Sequence, residues 1–122
     1  MRRILIVDDA ATVRMYHRNI LEAAGYGVEE AINGVEALEK ALQSPFDLYV
    51  VDVNMPKLDG YGFLRELRAQ DFFQAPAIMV STEAESGDHQ QAYVAGANAY
   101  LVKPVKPDHL LTHVKLLIGA AA

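Results

Sequence analysis

Five short apolar runs, each followed by a stretch of helical periodicity, constrain this chain more than any other feature. The runs occupy residues 3–7, 28–32, 48–51, 77–80 and 99–102. Four of them lack the alternation of a strand with one wet face, so they read as strands buried on both sides. The run at 28–32 contains Glu29 and Glu30 and suits a sheet edge. Strand then helix, five times over with short connections, demands a parallel sheet with helices on both faces. Each crossover is right-handed and must pack back onto the sheet.

The intervening stretches carry apolar residues at helical spacing. The first presents Val13, Tyr16, Ile20, Leu21 and Ala24, and the second Val35, Leu38, Ala41 and Leu42. The third turns Phe63, Leu64 and Leu67 inward, and the last Leu110, Leu111, Val114, Leu117 and Ile118. The fourth, from about residue 86 to 96, has only small or middling apolar residues, Ala92, Val94 and Ala95. Gly25 ends the first helix as a C′ residue does, and Asn33-Gly34 and Asp59-Gly60 open the second and third.

At 122 residues the chain reads as one domain, 1–122, large enough to fold around its own core. Its 52% hydrophobic and 22% charged residues fit a globule rather than a disordered chain. A net charge of -5 argues against direct nucleic-acid binding and favours a cationic ligand or basic partner. The absence of cysteine excludes disulfides and thiolate metal sites. No apolar run approaches the roughly 20 residues of a membrane span, and Ile4–Val7 is too short for a signal sequence. Membrane insertion is not expected, and the expected location is cytoplasmic.

Polar residues collect where the strands end. Asp8 and Asp9 follow the first strand, Asp52 the third, Ser81 the fourth and Lys103 the fifth. In a parallel sheet those ends face one edge, where open α/β sheets place their ligands. Clustered carboxylates repel each other and any phosphate, so a divalent cation is needed, and magnesium suits hard oxygen ligands. A carboxylate can act as a nucleophile toward a phosphoryl group, and Lys103 and Ser81 can meet its oxygens.

The pieces Val7-Asp-Asp9, Asn33-Gly-Val-Glu-Ala-Leu38, Val51-Asp-Val-Asn-Met-Pro56, Asp59-Gly60, Val80-Ser-Thr-Glu83, Ala95-Gly-Ala97 and Lys103-Pro104 span nearly the whole chain. In them the chain resembles response-regulator receiver domains of two-component signalling, and most of all the stand-alone CheY-type chemotaxis regulators. The resemblance implies a flavodoxin-like (βα)5 fold with strand order 2-1-3-4-5. It implies that Asp52 accepts a phosphoryl group from a sensor histidine kinase in a Mg2+-dependent reaction. Asp9 and Asp52 would ligate the metal directly, Asp8 largely through water, with the Asn54 carbonyl completing the set. Ser81 and Lys103 would act on the phosphate, and Asn54 and Glu83 would tune its lifetime. Ser81 and Tyr100 would form the switch, with an output protein docking on the face of the fourth helix, fifth strand and fifth helix. Tyr100 is expected to turn from an exposed to a buried position as Ser81 is drawn toward the phosphate.

Two residues depart from the family pattern: Ser81 stands where Thr is commoner, and Val53 where well-known relatives carry Trp. His109 and His113 have metal-like spacing but no third ligand, and they read as solvated residues. His17 and His89 read as structural or surface residues. Three other readings compete. One is a receiver cut from a multidomain, for example DNA-binding, regulator, which the full gene length would decide. A haloacid-dehalogenase-like phosphatase needs a second Asp where Asn54 stands. A flavodoxin-like FMN module needs a phosphate-binding loop where Asp8-Asp9 would repel one.

Overall fold

In the computed structural model the elements run in strict alternation. They are β1 (Arg3–Val7), α1 (Ala11–Ala23), β2 (Gly27–Ala31), α2 (Gly34–Gln43), β3 (Leu48–Asp52), α3 (Gly60–Arg68), β4 (Ala77–Ser81), α4 (Ser86–Ala95), β5 (Ala99–Val102) and α5 (Pro107–Ile118). The structure describes residues 2–82 and 86–121, without the side chains of 86 and 87. The five strands are parallel in the order β2-β1-β3-β4-β5, with β2 at an edge as its polar residues suggest.

Alternate residues of each strand feed two separate cores. Leu5, Val7, Tyr49, Val51, Ala77 and Met79 face α2, α3 and α4, and pack with Ala37, Phe63, Leu64 and Ala92. Ile4, Ile6, Leu48, Val50, Ile78 and Val80 face α1 and α5, and pack with Leu21, Leu110 and Val114. Burial on both faces explains the unbroken apolar runs: each such side chain contributes roughly 1.5–3 kcal/mol, and no strand position in the centre is free to be polar. Met79 and Ile78, for example, are both fully buried, on opposite sides.

Two helices sit differently from their apolar spacing. In α1 the buried residues are His17 and Leu21, while Tyr16 is 42% exposed. Tyr16 lies at the side of the buried stripe, where its hydroxyl donates to the Val105 carbonyl at 2.9 Å. In α2 the buried residues are Gly34, Ala37 and Ala41, whereas Val35 and Leu42 are 43% and 51% exposed. Small residues turn inward because the helix start approaches the β3–α3 loop closely. A Cβ on Gly34 would lie 2.3 Å from the Leu58 carbonyl oxygen.

Candidate functional site

The shared strand direction brings the polar strand ends to one edge. Asp52 closes β3, Ser81 closes β4, and Asp8 and Lys103 follow β1 and β5 directly. Asp8, Asp52 and Ser81 are buried, at 2%, 8% and 1% exposure, while Asp9 is exposed. Asp8, Asp9 and Asp52 each bring a carboxylate oxygen within 4.8 Å of the others. Lys103 Nζ bridges two of them, at 3.0 Å from Asp8 Oδ2 and 2.8 Å from Asp52 Oδ1. Asp8 Oδ1 accepts from the Ala10 amide at 2.9 Å, so both of its oxygens are engaged.

The loop after β3 fixes Asp52 from behind. The Gly60 amide donates to the Val53 carbonyl at 2.9 Å, and a Cβ at residue 60 would lie 2.3 Å from the Asp52 carbonyl oxygen. Only glycine permits that approach. Lys57 and Leu58, with φ of 52° and 79°, turn the chain back, and Asp59 caps α3 by accepting from the Gly62 amide at 2.8 Å. The Asp-Gly pair thus orders the helix and the carboxylate together.

Charge in this pocket is finely opposed. Burial pushes the Asp52 carboxyl above its ordinary range, the hydrogen bond from Lys103 pulls it back, and Asp8 and Asp9 add to the rise. Burial likewise pulls the Lys103 ammonium down, but its bonds to Asp52 and Asp8 outweigh this and leave it raised. The one lysine therefore remains charged and does not neutralise three carboxylates. That residual negative charge, with hard oxygen donors grouped on one edge, fits a divalent cation of the magnesium type.

Of the other residues singled out in the sequence, Asn54 lies exposed two residues past Asp52, and Glu83 falls outside the described residues. The Tyr100 ring is buried, at 7% exposure, and stacks on His89 with centroids 4.2 Å apart and planes at 30°. The apolar pattern alone did not reveal that stack. His109 and His113 form no metal cluster with an acidic group among the described residues. Instead, His113 Nδ1 lies 2.8 Å from the His109 carbonyl oxygen.

His17 is the residue that sequence reasoning placed least specifically. It is 2% exposed and lines a cleft of about 350 Å³ with Tyr16, Val105 and Lys103. Burial lowers its pKa below 6.5; Asp8 opposes that fall and Lys103 adds to it. A histidine held neutral in the fold contributes stability that is present above the unfolded pKa and lost as pH falls. The melting midpoint should therefore fall more, or rise less, in the wild type than in His17→Gln as pH is lowered below about 6.5. Parallel pH profiles for the two proteins would contradict this.

The family described as "Response regulator receiver domain" matches residues 4–115. The chain belongs to this family. It is 36% identical over 120 residues to the chemotaxis protein CheY1 of Helicobacter pylori, covering 96% of this chain and 97% of that one. It is 37% identical over 120 residues to the transcriptional regulatory protein ResD of Bacillus subtilis, covering 98% of this chain but 49% of ResD. The receiver domain thus spans about half the length of that relative, and only 9% of the Escherichia coli sensor protein EvgS, to which it is 38% identical over 114 residues. Among solved structures, Vibrio cholerae CheY4 superposes with a TM-score of 0.90 at 37% identity, covering 96% of this chain and 98% of that one. The receiver domain of a Pseudomonas aeruginosa sensor histidine kinase, solved with magnesium coordinated in its active-site cleft, gives 0.90 at 32%, covering 98% of each chain. The fold is that of CheY, with its strand order. Among the described residues no helix is long and apolar enough to cross a membrane.

Proposed function

We propose that this receiver domain takes a phosphoryl group onto Asp52 from a phosphohistidine of a sensor kinase. The observation that carries the reading is the Lys103 ammonium held 2.8 Å from Asp52 Oδ1 inside the carboxylate cluster. Asp52 Oδ2 accepts no hydrogen bond among the described residues and is the oxygen available for attack. A bond forms from that oxygen to phosphorus, the phosphorus–nitrogen bond breaks, and the histidine leaves with its electron pair. Lys103 balances charge on the transferred group, and the Ser81 hydroxyl, at the end of the neighbouring strand, donates to one of its oxygens. Asp9 and Asp52 would hold magnesium, with Asp8 through water and the Asn54 carbonyl, and the ion supplies positive charge to the phosphoryl oxygens. The family resemblance assigns Asn54 and Glu83 to phosphate lifetime.

The output surface in this reading is the α4–β5–α5 face, where Tyr93, Val94, Val102 and Leu116 are 51%, 82%, 38% and 78% exposed. Ser81 and Tyr100 connect the site to it, and phosphate acts by shifting the population of the buried Tyr100 ring. An apolar protein partner fits these exposed side chains. The partial coverage of ResD supports a second context, a receiver within a longer regulator, which the full gene length decides.

Incubation with magnesium and acetyl phosphate should add the mass of a single phosphoryl group, and chelation should prevent it. An unmodified intact mass under both conditions would overturn the proposal.

A further inference from the structure

Asp9 is the exposed member of the carboxylate cluster, and its side chain accepts no hydrogen bond among the described residues. Its direction is therefore set by the backbone on either side. That backbone is fastened at the Asp8–Asp9 peptide: Arg14 Nη1 donates to the Asp8 carbonyl oxygen at 2.7 Å. Arg14 is itself aimed by Glu30 of the edge strand, whose Oε1 lies 2.8 Å from Arg14 Nε, with side chains 14% and 29% exposed. Glu30 is held in turn by Arg18, and its carbonyl by Lys40. Register completes the clamp, since Ile6 faces Glu30 and the Asp8 amide donates to the Ala31 carbonyl at 3.1 Å.

We infer that Arg14, aimed by Glu30, is a positioning residue for the cation site: it pins the Asp8 carbonyl and so fixes where Asp9 presents its carboxylate. The inference rests on the proposed metal role of Asp9. Groups that orient metal ligands from behind commonly govern affinity by 10–100-fold, and a planar guanidinium holds a carbonyl and a carboxylate in one fixed fork, whereas an ammonium is a point charge on a flexible stem whose donors rotate.

Electrostatics alone makes the opposite prediction for one partner, which gives the test its force. Removing the Arg14 charge would, by charge alone, tighten binding of a cation, whereas removing the Glu30 charge would weaken it. Positioning predicts that both weaken it. Calorimetric titration of the full chain with magnesium chloride, alongside metal-free melting, separates the two. Arg14→Ala and Glu30→Gln should each bind magnesium more weakly, Arg14→Ala by roughly tenfold. Arg14→Lys keeps the charge and guards against a misfolded alanine variant; it should weaken binding by several-fold with a metal-free midpoint near that of the wild type. Arg14→Ala or Arg14→Lys binding as tightly as the wild type, or tighter, overturns the inference. Absence of magnesium binding by the wild type would instead overturn the metal role itself.

Discussion

Asp52→Asn should fold, melt no lower than the wild type in the absence of metal at neutral pH, and incorporate phosphate only to background. The loss follows from chemistry, because an amide oxygen is too weak a nucleophile to form the acyl phosphate. The stability follows from the environment. Burial raises the Asp52 pKa despite the Lys103 bond, and Asp8 and Asp9 raise it further. A carboxyl whose folded pKa lies above the unfolded one contributes stability below the unfolded pKa and loses it as pH rises through the folded value. At neutral pH its ionised form is a net cost, which the neutral amide removes. Phosphate incorporation by Asp52→Asn at the wild-type rate would contradict the assignment.

Lys103→Ala should have the largest effect on stability. The ammonium is 16% exposed and bridges carboxylates that are 3% and 9% exposed. Removing one partner of a buried ion pair leaves uncompensated charge and costs about 3 kcal/mol. Protonation of the remaining carboxylates relieves the strain, so the deficit should shrink as pH falls toward about 4. Added magnesium should stabilise the variant more than the wild type, since it supplies the missing positive charge. A deficit that is constant with pH, measured by thermal or urea unfolding, would show that the lysine acts by packing rather than by charge.

How far the sequence announced all this depended on the kind of signal. The five strands and their burial were legible because double-sided burial leaves no place for a polar residue between Leu48 and Val51. The site was legible for the same reason: Asp52 and Ser81 are polar residues that end fully buried strands, so their positions follow from strand direction alone. Helix faces were less legible. Tyr16 and His17 are neighbours in α1, and the outward one, Tyr16, bonds the Val105 carbonyl 89 residues away, a partner that helical spacing does not show. In α2, Ala37 faces inward and Val35 outward because Gly34 abuts the Leu58 carbonyl, a contact made across two elements. The Tyr100–His89 stack and the Arg14–Glu30 clamp were equally hidden. Each joins residues on different elements whose types are common on solvated helix faces.

The central claim is that Asp52 itself carries the phosphoryl group, and the acyl phosphate is open to chemical trapping. Borohydride reduces an aspartyl phosphate to homoserine, marking the acceptor permanently in the peptide chain. After incubation with magnesium and acetyl phosphate, reduction and proteolysis, peptide sequencing by mass spectrometry should find homoserine at position 52. Homoserine at Asp8, Asp9 or any other position, with residue 52 unchanged, would contradict the account.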